Sequence, residues 1–217
     1  MILHKIYGYL LLAACLQVFS TISKAQSVKL PDMQMRIEGS SLIIRGSLDT
    51  SKYTEFNDLL ATNVIGIIIF NDVLGGTIRS VELYGNKIAG LSIATKVDGK
   101  CYSACALVFL KGSNRSVNKM RNNVIGFHGP RGPRGEALVY FVALFKAWIL
   151  KSTDGKFTPE LIDKALSINS NDGALFIFTD TFFGLFRTWA LLCENSEECI
   201  SVPNANPYDL GILTEPR

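Results

Sequence analysis

Histidine is the scarcest reactive residue in this chain. Two occur among 217 residues, His4 and His128, so a site built from several imidazoles is excluded. Proline (7) and charged residues (19%) are also few, while 48% of residues are hydrophobic. Such a chain is not disordered, collagen-like or low in complexity, because it has ample apolar mass to bury. An excess of one charge is missing too. The formal charge is +3, but residues 1–25 carry Lys5 and Lys24 and no acid. Without them, 20 basic residues (22 less those two) face 19 acidic ones. That balance gives no reason to expect nucleic acid as a partner. No linker and no internal repeat interrupts the chain, and at roughly 150 residues per domain its length favours a single one.

The N-terminus reads as a leader. Lys5 precedes an apolar stretch from Ile6 to Phe19, followed by Ser23-Lys24-Ala25. This is the layout of a secretory signal, cut after Ala25. The apolar stretch is short for a permanent membrane span. The sequence therefore predicts an exported protein, periplasmic or otherwise extracytoplasmic, with a leader over 1–25, a short segment over 26–36 and one domain over 37–217. A second reading takes Leu12-Ala13-Ala14-Cys15 as a lipoprotein box that would tether the chain to a membrane through a lipid on Cys15. It ranks lower because Leu16, Val18 and Phe19 continue the apolar run. Once Cys15 is removed, four cysteines remain in two close pairs, Cys101/Cys105 and Cys193/Cys199. An even count after export favours disulfides over a metal, and none is expected. Local pairing is the simplest of three connectivities.

Along the chain, Ile37 to Leu48 reads as two strands around a Gly39-Ser40-Ser41 turn, and Thr54 to Leu60 as a short helix. Val64 to Phe70 is a β-branched run of the kind that forms a strand buried on both faces. It leads into a Gly-rich turn, Asn71 to Gly76. A helix over Ile78–Ile88 and a strand over Leu91–Val97 follow. Cys101 to Gly112 begins as a turn and becomes a helix. Val124–His128 reads as a strand, Gly129–Gly135 as a loop, and Leu138–Leu150 and Pro159–Ser167 as helices. Leu175 to Cys193 is aromatic-rich, with Asp180 read as helical. Strands alternating with helices predict an α/β fold with parallel pairing.

The residues that could carry chemistry stand in order. Gly75-Gly76 ends one strand segment, where backbone N–H groups can face a substrate oxygen with no side chain in the way. Ser103, in Cys101-Tyr102-Ser103-Ala104-Cys105, stands at a turn that opens a helix. A hydroxyl needs a base before it attacks, and His128 is the only imidazole beyond the leader. Taken singly, these are a turn, a helix cap and a structural histidine.

Together they resemble the proteolytic subunit of Clp proteases and its relatives of the Clp protease/crotonase fold. Gly75, Ser103 and His128 are 28 and 25 residues apart (103 − 75 and 128 − 103), close to that family's layout. The stretch from Ser103 through Lys111-Gly112 and Arg115 to Gly126-Phe127-His128 is similar to an exported bacterial branch with a Cys-x-Ser-Ala-Cys motif. Asp209-Leu210-Gly211-Ile212-Leu213 is similar to the family's closing segment. The resemblance implies a spiral of β-β-α units and serine-peptidase chemistry on short or unfolded peptides. Ser103 would be the nucleophile, His128 the base, and Gly75 and Gly76 the oxyanion hole. It also implies a homo-oligomer and no cofactor. Asp172, 44 residues after His128, stands near the family's orienting acid, with Asp180 and Asp163 as alternatives. The family's Ser-Pro before the Gly pair is here Val73-Leu74, after Asn71-Asp72. That departure keeps a rival open, a non-catalytic interaction module on the same fold. An acyl-CoA enzyme ranks lower, since no paired-carboxylate site is evident and export removes the chain from cytosolic CoA.

Two further stretches stand out. From Lys100 to Arg134 there are seven basic residues and no acid, a solvated face or an attraction for acidic substrates or anionic membranes. The aromatics of Leu175–Cys193 predict core packing or a self-association surface.

Overall fold

The computed structural model describes residues 31–132, 134–168, 173–182 and 185–215. The leader, Cys15 and Asp172 lie outside the described residues. Strand β1 (Gln34–Glu38) forms an antiparallel hairpin with β2 (Ser41–Leu48), and β1 begins ahead of Ile37. A 3-10 turn leads to α1 (Tyr53–Thr62). Then come β3 (Ile67–Gly76), α2 (Ile78–Leu91), β4 (Ala94–Tyr102) and α3 (Ala104–Phe109). Short β5 (Arg115–Val117) and β6 (Asn123–Phe127) follow. Helices α4 (Val142–Ser152) and α5 (Pro159–Ser167) precede β7 (Ala174–Phe182), β8 (Leu185–Cys193) and β9 (Cys199–Ser201).

Among the described residues these nine strands make one sheet, ordered β1-β2-β3-β4-β6-β7-β8-β9. Strands β2, β3, β4 and β6 pair in parallel. The flanks, β1 on one side and β7 to β9 on the other, are antiparallel. The α/β single-domain expectation stands, although the pairing is mixed rather than parallel throughout. β4 uses one edge twice: Thr95–Val97 hold β5 and Lys100–Tyr102 hold β6. This leaves the C-terminal end of β4 between β3 and β6, where Ser103 follows.

The β-branched run buries Ile68 and Phe70 completely. Helix α2 turns Val81, Tyr84 and Ile88 inward at spacings of three and four, so its apolar stripe faces the sheet. Thr77 caps it, accepting from Ser80 N at 3.1 Å. Tyr84 and Phe56 are fully buried and meet edge to face with centroids 4.8 Å apart. Burying each such side chain contributes roughly 1.5–3 kcal/mol.

Three local expectations are corrected. Asn71–Gly76 is not a free turn but the continuation of β3, shifted in register against both neighbours. The aromatic stretch containing Asp180 is a hairpin, β7 and β8, not a helix. Phe176, Phe178 and Trp189 share one face, with Phe178 and Trp189 parallel at 5.3 Å, while Phe186, opposite Thr181, turns to the other face and meets Tyr208. Leu175, Ile177 and Thr179 are buried while Phe176, Phe178 and Asp180 between and beyond them are half-buried, the period-two pattern of a pleated strand and not a helical stripe. Arg115, one of the seven basic residues, is not on a solvated face. It is 7% exposed and donates to the carbonyls of Leu110, Gly112, Gly211 and Ile212, clamping the C-terminal segment onto β5.

Candidate active site

One residue makes the corner between β4 and α3. Ser103 has φ 58° and ψ −123°, a region disfavoured for a residue with a β-carbon and costing about 1–3 kcal/mol. Several contacts hold it there. Ser103 N donates to Gly126 O of β6 at 2.9 Å, and Ser103 O accepts from Leu107 N at 3.3 Å. The Cys101–Cys105 disulfide spans the corner with Cα atoms 5.2 Å apart. Ala104 and Ala106 are buried and small enough for α3 to lie close on the sheet. The Ser103 hydroxyl makes no capping bond to α3, so it is not spent as a helix cap.

Gly75 faces this corner from β3. Its φ is +128°, and a β-carbon there would lie 3.2 Å from Ser103 Cβ and 3.6 Å from Ser103 Oγ. Only glycine meets both conditions. Gly76 is needed for a different reason, since its β-carbon would strike Leu48 O at 2.6 Å. The departure at Asn71-Asp72 has its own structural logic. Asn71 Nδ2 donates to Asp98 Oδ2 at 2.7 Å, and Asp72, at φ 54°, accepts from Lys100 N at 3.0 Å. These bonds tie the irregular end of β3 to β4 just before Gly75, a role the sequence signalled only as an oddity.

His128 follows β6 and is half-buried. Its Nδ1 stands 2.7 Å from Gly129 O. A carbonyl can only accept, so Nδ1 carries the proton and Nε2 is the free acceptor. Burial pushes the imidazole below its ordinary pKa; the Gly129 carbonyl opposes this, and nearby Arg131 adds to it. The ring is therefore neutral at pH 7, as a base must be. Ser103 and His128 line one cavity of about 570 Å³, walled by Gly76, Ile78, Leu138 and Phe145. No hydrogen bond joins the two residues among the described residues.

Neither alternative acid reaches His128. Asp180 sits at the far end of β7, where neighbouring Thr179 faces Asn123, and its carboxylate is held by Arg187. Asp163 lies on α5 as expected of a helical residue, exposed and bonded to Lys146. The second disulfide, Cys193–Cys199, closes the β8–β9 hairpin away from this corner. Both pairings are the local ones. No helix among the described residues is long and apolar enough to cross a membrane.

No protein-family model and no curated protein sequence matches the chain. Solved structures do. A ClpP1 from Listeria monocytogenes is similar at 17% identity over 82% of this chain and 92% of its own, with a TM-score of 0.49. A membrane-bound stomatin-specific protease is similar at 14% identity over 60% of this chain and 72% of its own, with a TM-score of 0.46. A probable enoyl-CoA hydratase from Mycobacterium tuberculosis is similar at 11% identity over 64% of this chain and 67% of its own, with a TM-score of 0.39.

Proposed function

We propose that this protein is a serine hydrolase of the peptidase type, built on the Clp protease/crotonase fold and acting on short or unfolded peptides. Ser103 attacks the substrate carbonyl, and His128 Nε2 takes its proton and returns it to the leaving amine. The Gly75–Gly76 backbone receives the developing oxyanion. One observation carries the reading: a strained serine, whose hydroxyl caps nothing, opens into the same cavity as the only described imidazole. The missing Ser103–His128 hydrogen bond is compatible with it, because such bonds often tighten only when substrate is present. Asp172 is the proposed orienting acid. In support, the strand that follows it places Leu175 opposite Phe127, the residue before His128. Two disulfides support export to an oxidising compartment, and the half-exposed hairpin aromatics support a homo-oligomer.

The test is labelling of the folded protein with a fluorophosphonate at pH 7–8. Wild type should be modified at Ser103 and Ser103→Ala should not. A second reading, a non-catalytic module, is favoured by the Gly129 carbonyl satisfying His128 Nδ1. It takes over if folded wild type never reacts.

A further inference from the structure

A second cavity, about 620 Å³, opens between α1, α2, the end of α3 and α4. Arg79 lines both this cavity and that of Ser103. At its back, Lys111 Nζ lies 4.4 Å from the centroid of the Trp148 ring. Gly85, in the middle of α2, makes that pairing possible. A β-carbon there would stand 3.2 Å from both Lys111 Cγ and Trp148 Cζ2. Glycine weakens a helix interior, so its presence at this point serves the nest of ammonium and indole.

The charges around Lys111 do not balance. Tyr53 faces the cavity from α1, Arg79 and Glu82 from α2, and Lys151 from α4. Glu82 is the only carboxylate, and Arg79 already holds it at 2.9 Å. Lys111 forms no ion pair among the described residues, and burial, with help from Lys151, pushes its pKa down to about 8. The indole Nε1 of Trp148 is buried with no acceptor among the described residues. An unpaired ammonium beside an aromatic wall, in a space of small-molecule size, lacks only a negative charge.

We propose that this cavity binds a small organic carboxylate on an apolar body, its charge on Lys111 and its body against Trp148 and Leu144. Lys151 adds long-range attraction from the rim. The site stands apart from Ser103, so it does not depend on the hydrolase reading.

The chain has two tryptophans, and Trp189→Phe leaves Trp148 as sole reporter. In that background at pH 7, 4-phenylbutyrate should change the indole fluorescence saturably, and the uncharged 4-phenylbutanamide should not. Lys111→Met should weaken binding at least about tenfold. Raising the pH from 7 to 9.5 should weaken it by about tenfold or more, as Lys111 loses its proton. Ser103→Ala should bind as tightly as its parent. If Lys111→Met does not fold, the exposed Lys151→Met should weaken binding in the same direction, and the pH series on the parent stands by itself. Equal binding of the amide, a flat pH series, or no saturable signal by fluorescence and calorimetry would overturn the proposal.

Discussion

Gly75 and Ser103 touch across the β3–β4 boundary so closely that the serine's β-carbon lies 3.2 Å from where a glycine side chain would begin. Both have positive φ, so two irregular residues from separate strands form one corner. Gly75→Ala should therefore strain the backbone and crowd the hydroxyl. Its cost to stability should be about 1–3 kcal/mol, read by denaturant titration. Fluorophosphonate labelling should slow by at least about tenfold, because the oxyanion donors and the nucleophile lose their mutual geometry. A variant that labels at the wild-type rate would remove Gly75 from the site.

Ser103 and His128 should behave as one unit. Ser103→Ala and His128→Ala should each lower peptide hydrolysis by on the order of 10³-fold or more. The double variant should be scarcely worse than either single, since nucleophile and base share one step. Losses that multiply in the double variant would show that the residues act separately.

The lowered pKa of His128, caused first by burial, fixes two pH trends. The acid limb of hydrolysis should have its midpoint below the ordinary histidine pKa of about 6.5, as the buried ring resists protonation. Stability has the same sign. The unfolded chain binds this proton more readily, so stability is fully present above about pH 6.5 and is lost as pH falls through the folded-state pKa. Denaturant midpoints of wild type and His128→Gln between pH 7.5 and 5 check this; the variant's slope should be shallower.

The two disulfides should differ in reducibility. Cys101 and Cys105 are fully buried, whereas Cys199 is exposed. Mild reductant followed by alkylation and peptide mapping should open Cys193–Cys199 first. Replacing Cys101 and Cys105 together by Ala should cost about 2 kcal/mol on the chain-entropy account of a short loop. It should also slow labelling of Ser103 by loosening the corner.

Arg115 should prove irreplaceable for folding. Arg115→Ala leaves several buried carbonyls without their donor and should cost at least about 3 kcal/mol, since bonds to a charged group contribute about 1.5–3 each. Arg115→Lys should recover little of it, because an ammonium cannot span the same fork. Thermal melts decide this, and a Lys variant as stable as wild type would refute the clamp.

What the sequence settled by itself was mostly local. The β-branched run, the stripe of α2 and the Pro159 helix each show their period within a dozen residues, so strand and helix were legible there. Gly75, Ser103 and His128 stood out only together, by an order and spacing that resemble the Clp protease layout, since singly each reads as a turn, a cap or a structural histidine. The close cysteine pairs made local disulfides the simplest of three connectivities, and the tertiary structure chose them. Tertiary structure decided what depends on neighbours distant in the chain. Whether Leu175–Cys193 is hairpin or helix turned on pairing with β6, fifty residues earlier in sequence, and Asp180 was lost to Arg187 across the same hairpin. Arg115 looked like one more surface charge because the carbonyls of Gly211 and Ile212 that bury it come from the other end of the domain. The strain at Ser103 exists only because Gly126 on β6 and Cys105 on α3 hold a corner that no propensity favours. Local periodicity writes the elements, whereas a site is made where remote backbones meet, and that meeting leaves no period to read.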